Sequence, residues 1–373
     1  MTDTAAQYRV RLHPAQHELT VQLTVADAGV NPVFELPTWV PGAYGFMKYA
    51  RDVFDIEVRA ADGARRRVTR EGWSGLRVES AGGPLELRYR VYAHDHAWGE
   101  LTGFLGHDQG VLLGTRYAYL RGRTGPVRVR YELPDGWRMH HPDGAREVVP
   151  GTFEYPSYQS LLDTPVVFGA FEVITRTVQG VPFHHLFLDR SFGFSSEAGK
   201  FVDALVRIAE ECHALFGSFP FQHYTWIFSF SPHAHWGLEH LTSTMIGLNG
   251  HCLIDPVERM RGVRVAAHEL FHAWNVCRLK PAPLGNPDHA RGSFPEGLWI
   301  SEGFTRYYEF LLSVRAGELT QEAFLSNLVN YYRQLTAFPA YARVSATDSS
   351  LTTFLNHNKY PGSVNSTIDY YDK

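Results

Sequence analysis

Apolar and polar residues alternate through the first half of the chain. In ELTVQLTV (18–25), Leu19, Val21, Leu23 and Val25 share one face of an extended strand. FDIEV (54–58) and RRRV (65–68) flank the turn sequence ADGA. LELRYRV (85–91) alternates Leu85, Leu87, Tyr89 and Val91, and VRVRYEL (127–133) stands between a Gly-Pro pair and Pro-Asp-Gly. Short period-two runs punctuated by glycine, proline and aspartate predict an antiparallel sandwich or barrel.

The pattern changes near residue 175. FHHLFLDRSF still reads as strand and loop. From Ser196 the period becomes helical, with Phe201, Leu205, Ile208, Cys212 and Leu215 on one stripe. TWIFSF (225–230) is a short apolar strand. Asp255-Pro256 starts a helix, with an aspartate cap and proline at the first helical position. That helix is expected to run through VRVAAHELFHAWNV (263–276). A second is expected over EGFTRYYEFLLSV (302–314), ending near Gly317, and Thr320 caps a third, QEAFLSNLVNYYRQL. Trp274, Trp299, Phe304 and Tyr307 read as core around the first two. Residues 337–373 read as loop-rich. A chain of 373 residues suits two domains. The reading is α+β, with an antiparallel β-sandwich-like domain over 1–174 and a mixed α/β domain over 175–373.

Charge and composition narrow the function classes. The formal net charge of −4 offers no electrostatic case for nucleic acid. No apolar run approaches membrane-spanning length, so no membrane partner is expected. The start, MTDTAAQYRV, has no basic residues ahead of an apolar stretch, so no secretory signal is read and a cytoplasmic location is expected. The three cysteines, Cys212, Cys252 and Cys277, lack CxxC spacing and read as small buried hydrophobes rather than disulfide partners or zinc ligands. Nothing in the composition fixes an oligomeric state.

HELFH (268–272) carries the strongest chemistry. Histidines at i and i+4 lie one turn apart on the same helix face, so His268 and His272 can reach one cation at about 2 Å. Glu269 points beside that face, where it can take a proton from water activated by the metal. Five-residue matches also arise by chance on amphipathic helices, so a third ligand decides the matter. One solution places glycine at 275 and histidine at 278, but the chain has Asn275 and Arg278. The other takes a glutamate from a downstream helix. In LWISEGFTRYYEF (298–310) Glu302 is preferred, because it stands at the expected helix start with Gly303 leaving room for the metal helix. Glu309, on the same stripe, is the rival, and Glu296 in a Pro-Glu-Gly loop is weaker. The paired His94 and His96, and the group His233, His235 and His240, read as satisfied loop or strand histidines.

HELFHAWN followed by LWISEGFT resembles the gluzincin metallopeptidases, the clan of aminopeptidase N. WGLEH (236–240) is similar to that clan's exopeptidase signature in the form used by the glycyl aminopeptidase family, with Trp236 in place of a glycine. LPTWVPGAYGF (36–46) and LLDTPVVFG (161–169) also look like that family's N-terminal region. The resemblance implies a thermolysin-like catalytic domain with one Zn²⁺ per chain, held by His268, His272 and Glu302, and Glu269 as general base. It implies that Glu239 binds the free N-terminus of a peptide substrate, with backbone groups of Gly237 and Leu238 pairing alongside. In YYDK (370–373), Tyr371 matches the tyrosine that donates to the oxyanion, with Tyr370 as the alternative. Small N-terminal residues, glycine and alanine first, are the implied substrates. Two other readings stand beside it, a zinc endopeptidase and a non-catalytic peptide-binding relative. Family members usually continue into a helical region and a PDZ domain, so the chain reads as truncated. Residues from about 345 onward are therefore expected to be poorly fixed.

Overall fold

Alternation becomes burial in the strand Glu18–Val25, where Leu19, Val21, Leu23 and Val25 are all fully buried. The computed structural model describes residues 5–94, 103–189, 191–232, 234–352, 365–368 and 371. The chain divides into two compact units. One comprises Met1–Val40, Phe46–Phe171 and His289–Gly292, the other Pro41–Gly45, Glu172–Asp288 and Ser293–Lys373.

The first unit is built from one eight-stranded and two four-stranded sheets. The strands at 18–25, 53–60, 85–92 and 127–132 coincide with the alternating runs of the sequence. Their inward side chains meet in one core with Phe34, Val166 and Phe168. The expected antiparallel pairing holds for every described pair in this unit but one. Ala6–His13, a strand beyond the alternating runs named above, runs parallel to Val127–Glu132 while pairing antiparallel with Glu18–Val25. Strands so distant in sequence need no hairpin, so a parallel pair costs no tight turn. The eight-stranded sheet is therefore mixed, and the two four-stranded sheets are antiparallel throughout their described pairs.

The second unit sets helices against a five-stranded sheet. Its strands are β1 (Glu172–Val178), β2 (Val181–Phe187), β3 (Tyr224–Phe230), β4 (Trp236–Glu239) and β5 (Ser243–Leu248). The order is β1-β2-β3-β5-β4, with β2, β3 and β5 parallel. The connection from β2 to parallel β3 contains helix α1 (Phe194–Phe216), as parallel crossovers require. Strand β4 lies at the sheet's edge and pairs antiparallel with β5. Phe201, Leu205 and Ile208 of α1 pack in one core with Trp226, Phe228 and Ile246 of the sheet.

Helix α2 (Pro256–His272) begins as its sequence dictates. The Asp255 side chain accepts from the backbone N–H groups of Val257 and Glu258, and Pro256 occupies the first turn. The helix stops at His272, four residues short of the expectation. Beyond it the backbone tightens into i→i+3 bonds, Ala273 to Leu270 and Trp274 to Phe271, which turn the Asn275 carbonyl toward His272.

Helix α3 (Leu298–Arg315) starts four residues earlier than expected, so Glu302 sits one turn inside it. The role expected of Gly303 is overturned, because a Cβ there would meet nothing within 4 Å. Phe304 and Tyr307 are not core: they are 50% and 43% exposed, whereas Trp274 is buried. Two contacts clamp α2 to α3. The Phe271 ring stacks on Tyr308 at 4.7 Å, and the Arg264 guanidinium lies 4.4 Å from the centre of Phe310.

Helix α4 (Gln321–Ala337) is capped by Thr320 as expected and buries none of its residues. Of the stretch from 345 onward that was expected to be poorly fixed, residues 353–364, 369–370 and 372–373 lie outside the described residues. Ala346–Thr352 forms helix α5, the Ser350 hydroxyl accepts from the Trp299 N–H, and Ser349 donates to the Ile368 carbonyl. Ile368 is buried. Packing against α3 supplies the anchor that the sequence alone did not reveal. Among the described residues no helix is long and apolar enough to cross a membrane.

Candidate metal centre

The last two turns of α2 bring His268 and His272 side by side, with ring centroids 4.6 Å apart. Each imidazole is oriented by its Nδ1. That of His268 lies 2.8 Å from Glu309 Oε2, and that of His272 lies 2.7 Å from the Asn275 carbonyl oxygen. Both partners only accept, so each Nδ1 carries a hydrogen and each neutral ring presents a lone pair at Nε2. The two Nε2 atoms converge, each 3.3 Å from the same oxygen, Glu302 Oε2. His268, His272 and Glu302 are all buried, and their donor atoms lie within 4.8 Å of one another. Two imidazole nitrogens and a carboxylate oxygen, each already steered from behind, form a donor set suited to a borderline-soft divalent cation.

Glu309, the rival third ligand, stands behind His268 rather than between the two rings. Glu296 is not in the cluster. Asn275, which the sequence offered only as a departure from another motif, joins several elements. Its carbonyl orients His272, and its amide donates to the Ser301 carbonyl at 3.0 Å and to Thr305 Oγ1 at 3.2 Å.

Glu239 and Glu269 extend the cluster. With His272 they form a second group of donors within 4.8 Å, and all three are buried. Gly237 explains how Glu269 fits. A Cβ at Gly237 would lie 2.2 Å from Glu269 Oε1, so only glycine lets the carboxylate rest against β4. A segment distant in sequence backs Glu239. Gly42 adopts φ +81, and a Cβ there would lie 2.9 and 3.0 Å from the two Glu239 oxygens. Only the Pro-Gly pair in LPTWVPGAYGF points to a turn there, and nothing in the sequence pairs Gly42 with Glu239. The Leu238 carbonyl already accepts from Thr244 Oγ1 at 2.8 Å.

Tyr371 lies beside the cluster, its ring 6.2 Å from that of His268 and 5.5 Å from the Arg306 guanidinium. Tyr370, His96 and His233 lie outside the described residues. His94 approaches the Leu105 carbonyl at 3.2 Å, and His235 lies 3.5 Å from Glu258, so neither joins the centre. The cysteines are free, and Cys212 and Cys252 are buried.

Charges in the cluster act on one another at close range. Burial opposes a proton on His268, but hydrogen bonds to Glu302 and Glu309 outweigh it and raise its pKa to about 9. His272 is likewise penalised by burial and raised to about 9, chiefly by the charge of Glu302. Burial alone would raise Glu302, yet the charge of His272 and hydrogen bonds from both rings hold it well below the usual carboxylate range. Glu269 and Glu239 move the other way. Burial raises both, and His272 only partly opposes it.

These directions set the pH response of the chelator-treated protein. Raised histidines stabilise fully below their unfolded pKa of about 6.5 and lose that contribution as pH rises through about 9. The raised Glu269 and Glu239 act in the same direction, whereas the lowered Glu302 loses its contribution only as pH falls below the ordinary carboxylate range. Melting temperature in excess chelator is therefore expected to fall between pH 6.5 and 9.5. A flat or rising curve there would contradict the charge pattern.

A β-rich unit followed by one that leans helices on a mixed sheet defines an α+β protein. Two family models match it, the M61 N-terminal domain over residues 7–170 and M61 glycyl aminopeptidase over residues 261–373. Together they take in well over half of the chain, which belongs to the M61 glycyl aminopeptidase family. A solved aminopeptidase N family protein from Idiomarina loihiensis is similar with a TM-score of 0.90 and 22% identity, over 98% of this chain and 64% of that one. The chain thus spans less than two thirds of that protein's length. The M1 zinc metallopeptidase of Deinococcus radiodurans is similar with a TM-score of 0.51 and 17% identity, over 90% of this chain and 75% of that one. A mutant of the Deinococcus enzyme, bound to a Tyr-Ser-Ala substrate, gives a TM-score of 0.50 at 16% identity, again over 90% of this chain and 75% of that one. At these identities the likeness is one of fold. No curated protein sequence matches the chain.

Proposed function

We propose that this chain is a zinc-dependent aminopeptidase that removes small residues from peptides with a free N-terminus. The observation that carries the reading is the second buried carboxylate, Glu239, within 4.8 Å of Glu269 and His272. A hydrolytic centre needs a metal-ligand set and a base. A centre that counts from the amino end also needs an anion for the substrate's ammonium, and Glu239 is in position to supply it.

His268, His272 and Glu302 would hold the ion. Zinc bound there would supply Lewis-acid chemistry toward water and the scissile carbonyl. Glu269 accepts the proton of the attacking water on its carboxylate and delivers it to the leaving amine. Glu239 pairs with the ammonium and fixes which peptide bond lies over the base. The edge position of β4 lets Gly237 and Leu238 align the substrate backbone as a further strand. Tyr371 donates from its hydroxyl to the oxygen that gains charge. The tight approach of Gly42 to Glu239 supports a preference for small N-terminal side chains, because a crowded ammonium site excludes bulk by steric closure.

Hydrolysis of glycyl, alanyl and leucyl substrates with free and acetylated termini tests the reading. Glycyl and alanyl substrates are expected to exceed leucyl by about 10–200-fold in kcat/KM, the range that methylene-scale exclusion gives. Acetylation is expected to abolish cleavage. Equal cleavage of free and acetylated peptides would instead identify an endopeptidase.

Glu309 has a measurable share in the metal site. Glu309→Gln keeps the shape behind His268 but removes the charge, so zinc affinity is expected to weaken by about 10–100-fold. Glu302→Ala removes a ligand and is expected to cost more. Competition with a chromogenic chelator measures both. A larger loss from Glu309→Gln than from Glu302→Ala would exchange their roles.

A further inference from the structure

The two donor groups of the second unit share His272, and that sharing cannot survive occupancy of the first. His272 Nδ1 is committed to the Asn275 carbonyl, so the ring has only Nε2 to give, and Nε2 faces Glu302. Once the first centre is filled, the second group reduces to Glu239 and Glu269. These two carboxylates are built to stay where they are. Gly42 backs Glu239 and Gly237 backs Glu269, each so closely that a methyl group would not fit. Glu269 is 5% exposed, and its Oε2 has no hydrogen-bond partner among the described residues. A buried acceptor left without a donor is costly, and a cation between the two acids satisfies it.

We propose that the Glu239–Glu269 pair is a second divalent-cation site, filled by zinc only above the concentration that saturates the first centre, and that its ion competes with the substrate's ammonium. This rests on the aminopeptidase reading for its functional consequence, but not for the binding itself. Two carboxylates without an imidazole make a harder and weaker site for zinc than the first. An ion there neutralises the group that would hold the ammonium and occupies the base. Excess zinc is then a competitive inhibitor whose effect is lost as substrate concentration rises.

Zinc alone is the probe. Equilibrium dialysis of the chelated and reloaded protein is expected to give one tight and one weak equivalent. Glu239→Gln is expected to retain the tight equivalent and lose the weak one. Glycinamide, a small free amine, is expected to displace the weak equivalent from the unmodified protein, which tests the site without relying on a variant. In steady state, excess zinc is expected to raise KM for a glycyl substrate and leave kcat unchanged. A single equivalent overturns the proposal. So does a weak equivalent that persists in Glu239→Gln or resists glycinamide, or inhibition that lowers kcat alone. None of those results touches the aminopeptidase reading, which fails instead if acetylated peptides are cleaved as fast as free ones.

Discussion

Replacing Glu269 by glutamine is expected to leave zinc content unchanged and to lower kcat by about 10²–10⁴-fold, the range for loss of a positioned acid–base group. Glutamine fills the same volume, so the packing against Gly237 survives. It cannot accept a proton at neutral pH. Glu269 lies outside the group formed by His268, His272 and Glu302, so metal affinity need not follow activity. Metal analysis beside steady-state kinetics separates the two quantities. Activity within a few-fold of the parent would remove Glu269 from the proton path, and loss of zinc would make it a ligand.

Gly237→Ala is expected to disable the protein almost as severely without replacing any acidic or ligand side chain. The added methyl would lie 2.2 Å from Glu269 Oε1 and 2.6 Å from its Cδ. Either the carboxylate leaves its place or β4 shifts from the sheet. A displacement of about 1 Å at a reacting group costs about 10²-fold in rate, so kcat is expected to drop at least that far. Zinc content is expected to hold, because the ligands stand on α2 and α3. Combining the change with Glu269→Gln separates the two routes by which it could act. If Gly237 acts through Glu269, the double variant is little worse than Glu269→Gln alone. Independent, multiplying losses would mean that Gly237 acts chiefly on substrate alignment.

Much of this site was legible because its signals are local. The i, i+4 spacing of His268 and His272 fixes their common face whatever the rest of the chain does. Asp255-Pro256 announced the start of α2 by a cap whose hydrogen bonds are present in the structure. The alternating strands of the first unit were equally plain, except Ala6–His13, where Ala6, Tyr8, Val10 and Leu12 alternate inward among arginines that draw the eye. What escaped was set by contacts far apart in sequence. Gly42 meets Glu239 across nearly two hundred residues, and no periodicity encodes that. Glu309 and Glu302 share one helix stripe, so sequence could not say which would lie between the rings and which behind one. Phe304 and Tyr307 were assigned inward by residue type, but the stripe of α3 that faces α2 carries Ser301, Glu302, Thr305 and Glu309 instead. Polar chemistry claimed the buried face, and the aromatics were turned outward.

Asn275 gives the two helices a common fate. Its carbonyl holds the tautomer of His272, while its amide is fastened to the first turns of α3 through Ser301 and Thr305. Separation of α3 from the end of α2 therefore frees an imidazole at the same moment that it withdraws Glu302. That linkage leaves no support for a half-open form in which two ligands wait in register for the third. Its melting is expected to be a single local event, and an ion that binds only the closed arrangement would act as a latch on that whole segment of the fold.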